Sequence, residues 1–144
     1  MAETKLLPAA LELEITETVT IQNGNTAKTF LDAFHYLGIS LAMDDFGTGY
    51  SSLSYLKQFA FQTIKIDRSF VQNALEDRED VAIIKAILGL GHALGIEVVA
   101  EGVETKELKE FLQSLHCRYM QGYYFSRPLS STDATRLLQQ FLIG

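Results

Sequence analysis

The stretch Leu41–Leu53, LAMDDFGTGYSSL, places two neighbouring aspartates, Asp44 and Asp45, at the end of an apolar run and follows them with Gly-x-Gly. Adjacent like charges repel unless something neutralises them. Other polar residues gather at comparable places. Glu14 and Glu17 close the run LELEITE, Lys65 and Asp67 lie in TIKID, Glu101 and Glu104 follow IEVVA, and Gln121 follows Met120. Carboxylate oxygens in such numbers suit Mg2+ or Mn2+. A pair of adjacent aspartates lets one bridge two ions while the other serves the second, an arrangement used for in-line displacement at phosphorus. Lys65 is either the partner of a neighbouring acid or a cation that orients an attacking water and steadies phosphate charge. Asp67 is placed to cap a following helix, and Glu107 and Glu110 belong to a solvated helix surface. Gly47 and Gly49 permit a sharp turn beside the aspartates, although Gly-x-Gly alone is weak evidence of phosphate binding.

These residues need elements that bring them to one place. Leu11–Ile15 alternates apolar and acidic residues, as a strand does. Ala27, Phe30, Leu31 and Phe34 recur as one helix face, closed by Gly38. Ile39–Met43 is a second strand, followed by a short Ser-rich helical turn, and Thr63–Asp67 is a third strand. Val81–Leu94 is an apolar helix ending at Gly95, and Ile96–Ala100 is a fourth strand. Leu108, Phe111, Leu112 and Leu115 mark another helix. Tyr119–Phe125 is expected as a fifth strand, and Ala134, Leu137, Leu138 and Phe141 as a closing helix capped by Ser130 or Ser131. Alternating strands and helices argue for parallel βα units. The acids then fall at strand ends, and the carboxyl edge of a parallel sheet is where ligands bind. By length alone, a doubly wound sheet of about five strands fits, whereas an eight-stranded barrel takes about 250 residues.

The chain has 144 residues and a net charge of −6, with no long basic run, so gripping DNA is not expected. The single Cys117 precludes an intramolecular disulfide and suits a reducing, cytoplasmic compartment. Met1–Ala10 lacks the apolar core of a signal peptide, and no apolar stretch approaches the roughly 18 residues of a membrane span.

The segments LELEITE, MDDFGTGYSSLSYL, TIKIDRSFV, VVAEGVET and MQGYYFSRP, in this order, resemble the EAL domain. That family comprises phosphodiesterases that open cyclic di-GMP to the linear dinucleotide pGpG. The resemblance runs from about Leu7 to Leu142. It implies that Glu14, Asp44, Asp45 and Glu101 are metal ligands for Mg2+ or Mn2+, with Asp44 bridging. It implies that Lys65 contacts the attacking water, that Glu101 is also a catalytic acid close to the metals, that Glu104 supports the lysine and water network, and that Gln121 lies near substrate. Glu17 is implied to steady the loop Phe46, Gly47, Thr48 and Gly49, which couples the site to dimerisation.

Full EAL domains resemble an eight-stranded (β/α) barrel, a TIM-barrel-like fold, and residues 1–144 resemble roughly the last five βα units of one. No Glu-Ala-Leu occurs in these 144 residues, nor the arginine and asparagine that accompany it. Two metals need about six oxygen ligands each, so this partial domain is expected to be impaired or inactive by itself. Its first strand is expected to present an open edge that invites self-association. A non-catalytic module binding cyclic di-GMP or a partner protein is the alternative reading. A generic metal-dependent phosphohydrolase is as far as the residues reach without the resemblance.

Overall fold

The computed structural model describes residues 5–16, 28–49 and 53–142. Glu17, Ala27 and Tyr50–Ser52 lie outside the described residues. After a 3-10 turn at Pro8–Ala10 come β1 (Glu12–Thr16), α1 (helical over 28–36), β2 (Ser40–Phe46), α2 (Leu53–Gln58) and β3 (Thr63–Ile66). They are followed by α3 (Arg68–Asn73), α4 (Arg78–Leu94), β4 (Glu97–Ala100), α5 (Lys106–Ser114), β5 (Tyr119–Met120) and α6 (Ser131–Leu142).

Among the described residues all strand pairs are parallel, and the sheet runs β1-β2-β3-β4-β5 with no reversal. A doubly wound sheet would reverse its order at a switch point and place helices on both faces. Unreversed order is barrel winding instead. The two faces of the sheet agree with this. Side chains alternate along strands, and the observed register puts Leu13, Leu41, Met43, Ile64, Ile66, Val98 and Ala100 on one face. That face carries the core, with Ile84, Val71 and Leu112 from the helices packed into it. Fully burying a Leu, Ile, Val or Met side chain there contributes about 1.5–3 kcal/mol. The opposite face carries Glu12, Glu14, Ala42, Asp44, Thr63, Lys65, Glu97 and Tyr119. There Thr63 Oγ1 donates to Glu12 Oε2 at 2.7 Å and Tyr119 OH donates to Glu97 Oε1 at 2.9 Å. A sheet packed by helices on both faces would be apolar on both. The length-based reading as a doubly wound sheet is therefore wrong, and the barrel-type reading holds.

Helix ends follow local chemistry. Asp77 accepts from Glu79 N at 2.7 Å and starts α4 at Arg78, three residues before the apolar periodicity begins at Val81. Gly95, at φ 69°, ends it in the left-handed region. Asp67 caps α3 by accepting from Ser69 N at 2.9 Å, Thr105 caps α5, and Ser130 Oγ accepts from Asp133 N near the start of α6.

The expected fifth strand is shorter than Tyr119–Phe125 and stops at Met120. Beyond it the backbone leaves the ladder and pairs with the loop after β4. Gln121 O accepts from Val103 N at 3.1 Å, and Val103 O accepts from Tyr124 N at 3.0 Å. A Cβ on Gly122 would stand 2.1 Å from Val103 O, so only glycine lets these two backbones pass. Tyr123, Tyr124 and Phe125 are consequently exposed. Of the residues assigned to apolar helix faces, Leu31 and Leu112 are buried, but Phe30, Leu138 and Phe141 are exposed. No helix among the described residues is long and apolar enough to cross a membrane.

The contact between α4 and β4 makes a sharp prediction. Gly91 lies against β4 so closely that an added Cβ would meet Val98 Cγ2 at 2.2 Å, whereas Gly89 on the same helix has nothing within 4 Å. Alanine in place of a helical glycine ordinarily gains about 1 kcal/mol. Gly89→Ala should show that gain in urea unfolding, while Gly91→Ala should lose roughly 1–3 kcal/mol by overpacking.

Candidate functional site

The site lies at the carboxyl edge of the sheet, on its polar face. Its shape begins with an irregularity in β2. Met43 pairs with Ile64 and Phe46 with Ile66, so β2 spends one more residue than β3 over the same span. Asp45 takes φ 54°, a left-handed conformation that aspartate tolerates better than most residues. In a regular strand Asp44 and Asp45 would face opposite sides. The bulge overrides that alternation, as bulges beside functional sites do by re-aiming a side chain. Asp44 Oδ1 accepts from Asp45 N at 3.1 Å, and Asp45 O accepts from Thr48 Oγ1 at 2.8 Å, which fixes the turn. Gly47, at φ 98°, completes it with the Phe70 ring close by, and Phe46 is buried at 4% exposure.

Lys65 projects from β3 with only 5% of its surface exposed. Its ammonium lies 2.6 Å from Glu14 Oε1, 2.6 Å from Glu101 Oε1 and 3.5 Å from Asp44 Oδ1. Burial works against the charged form, but the hydrogen bonds to Glu101 and Glu14 and the surrounding negative charge outweigh it, so the Lys65 pKa is raised. Glu101 is pushed up by burial and by the charges of Asp44 and Glu14, against the opposing pull of Lys65. Asp45 is raised by desolvation, then by Asp44 and Asp67, with which it also shares a hydrogen bond. Asp67 itself is lowered: burial acts against this, but the side-chain and backbone hydrogen bonds from Ser69 prevail.

Of the residues expected at the site, the structure thus brings together Glu14, Asp44, Asp45, Lys65 and Glu101. Glu104 is exposed and accepts from Gln72 Nε2 of α3 at 3.2 Å, while the ion-pair partners of Lys65 among the described residues are the three acids above. Gln121 stands exposed at the rim, its backbone N–H donating to Ala100 O at 2.8 Å. Glu17 lies outside the described residues. Asp67 is the residue that sequence reading confined to a capping role. It caps α3 and also faces Asp45, and the signal was the Lys-x-Asp spacing, which repeats the strand period. Among the described residues no trio of His, Cys, Asp or Glu is arranged to hold a metal ion. The donor chemistry nevertheless fits a hard divalent cation, since every acid at this edge offers carboxylate oxygen. The oxygens of Glu14, Glu101 and Asp44 already converge on one cation, the Lys65 ammonium.

The model of the EAL domain matches residues 1–128, and the chain belongs to this family. EAL domains have a TIM-barrel-like fold, in keeping with the unreversed parallel sheet. Among relatives, the chain is 42% identical over 124 residues to the bifunctional diguanylate cyclase/cyclic di-GMP phosphodiesterase MucR of Pseudomonas aeruginosa, covering 86% of this chain and 18% of MucR. Among solved structures it is similar to the PaMucR phosphodiesterase in complex with c-di-GMP. That match has a TM-score of 0.87 at 39% identity, over 92% of this chain and 54% of that one. It is also similar to Klebsiella pneumoniae BlrP1 in a manganese/cyclic di-GMP complex, with a TM-score of 0.83 at 40% identity, over 88% of this chain and 32% of BlrP1. The chain spans only a small part of the length of the curated relatives it matches.

The raised Asp45 pKa sets a pH dependence. The folded state binds this proton more tightly than the unfolded chain, so the associated stability is present below the ordinary value of 3.8 and is lost as pH rises through the folded pKa. Without metal, Asp45→Asn should therefore raise the thermal midpoint at pH 7 by a few degrees, and the difference should shrink towards pH 3. Asparagine also accepts a left-handed backbone, so the pH-dependent part is the readout in scanning calorimetry.

Proposed function

We propose that this chain is the C-terminal part of an EAL domain belonging to a cyclic di-GMP phosphodiesterase, which hydrolyses cyclic di-GMP to pGpG with Mg2+ or Mn2+ bound at the carboxyl edge of the sheet. The observation that carries this reading is the meeting of Glu14, Asp44, Glu101 and Lys65, from four separate segments, at the edge where parallel βα folds bind ligands. The similarity to phosphodiesterases of known substrate supports it.

Glu14, Asp44, Asp45 and Glu101 are the residues that would hold the cations, with Asp67 beside Asp45. Divalent cations at such a site lower the pKa of water and neutralise phosphoryl charge. With its pKa raised, Lys65 is a standing cation. It donates hydrogen bonds to the attacking water and to phosphate oxygen and does not remove the proton. Glu101, bonded to Lys65 and with its own pKa raised by burial, is placed to take part in proton transfer. Water oxygen bonds to phosphorus, and the bridging ester oxygen leaves as the hydroxyl of the linear dinucleotide. Gln121 at the rim contacts the substrate, and Glu104, in the segment after β4, accepts a hydrogen bond from Gln72 of α3 and supports the lysine and water network. The loop Phe46–Gly49, with Glu17, couples the site to self-association. β1 is the terminal strand of the described sheet, and its outer edge is where a further strand or a second copy pairs.

The test is product analysis after incubation with cyclic di-GMP and Mn2+ or Mg2+. For this partial domain pGpG is expected to form slowly or not at all, and Asp44→Asn should abolish whatever forms. Equal product from both proteins would remove Asp44 from the chemistry. Tight binding in calorimetry without product would make the chain a cyclic di-GMP-binding module instead.

A further inference from the structure

We infer that Lys65 is a built-in counter-ion occupying the place of a divalent cation, so that metal binding must break its ion pairs and thereby releases it towards substrate. This rests on the reading of the sheet edge as a metal site. The oxygens around the ammonium come from β1, β2 and the segment after β4, and the point they share is the Lys65 nitrogen. Glu14 and Glu101 each approach it at 2.6 Å, the distance of a short charge-assisted hydrogen bond. Their oxygens are aimed at Nζ, and no trio of acids among the described residues is arranged round any other point.

Three carboxylates outnumber one ammonium, so the cluster stays anionic and still attracts a divalent cation. A cation that enters meets the positive charge of Lys65 at the centre. The two cannot share the same oxygens at close range without strong repulsion. The lysine stem has four flexible carbons, which let the ammonium swing away once its partners are taken. Loading is then ordered. Without metal, Lys65 offsets part of the acids' charge and holds the strands in register. With metal, it is free to donate to phosphate. Metal and cyclic dinucleotide should accordingly bind with positive coupling.

The contrary possibility is that Lys65 is a scaffold that holds the acids ready for metal, in which case its removal weakens metal binding. Mg2+ titration by calorimetry separates the two. Lys65→Met should bind Mg2+ at least about ten-fold more tightly than the unaltered chain, and ten-fold corresponds to about 1.4 kcal/mol. Its thermal midpoint should also rise more on adding Mg2+. Lys65→Gln repeats the test if the methionine variant does not fold. The unaltered chain gives an independent readout by NMR, because the hydrogen-bonded Lys65 NH3+ signal should disappear or move to free-lysine values as Mg2+ saturates. Equal or weaker Mg2+ binding by the variants, or an unmoved Lys65 signal at saturation, overturns the inference and leaves the metal site standing. Absence of Mg2+ binding in every form overturns the metal site and the inference together.

Discussion

A lysine with 5% exposure governs this architecture. Removing such a charge from water costs several kcal/mol, and only well-placed opposite charges offset it. For Lys65 those charges arrive from β1, β2 and the segment after β4, so the register of four strands is tied to one nitrogen atom. A slip of one residue in any of these strands would turn its acid to the apolar face and leave a charge unpaired there. The hydrophobic face independently fixes the same register, since the slip would also expose Leu41, Met43, Ile64 and Val98. Polar and apolar faces thus specify one alignment between them.

The bulge in β2 adds what alignment alone does not provide. Regular pleating brings one acid per strand to the polar face, whereas here the consecutive Asp44 and Asp45 both stand at the carboxyl edge. A left-handed residue at Asp45 supplies the second, and burial and like charge meet there in one raised pKa. Local strain and electrostatic repulsion therefore coincide at the same position, which is a common mark of functional sites. Lys65 relieves the acids on one side of the bulge. Asp67, itself stabilised as an anion by Ser69, faces Asp45 on the other.

Much of this was legible in the residues. Strands are legible where apolar and polar residues alternate or end in turn signals, and the acids that follow those runs mark the carboxyl edge of a parallel sheet. Lys65 was open to either of its readings, and the structure shows the ion-paired one. The fifth strand was overextended because aromatic residues favour strands, and nothing local announces that Gly122 must pass against the Val103 backbone. The choice between a doubly wound and a barrel-type sheet could not be made from length. It depended on the second face, whose polarity emerges only when Glu12, Thr63 and Glu97 are aligned across strands. The role of Asp67 beside Asp45 stayed hidden because a capping function already explained it.

The polar face has a consequence for how such sheets meet one another. Stacking two of them face to face would press Glu12, Glu14, Lys65 and Glu97 into a layer with little water, where their hydration is lost and few partners are gained. Lamination of the kind that drives sheets into fibrils is therefore disfavoured on this side, and the helices cover the other. What remains is growth in the plane of the sheet, strand beside strand, which extends a curved wall without thickening it. The charges that build the site thus also dictate the direction in which the wall can be continued.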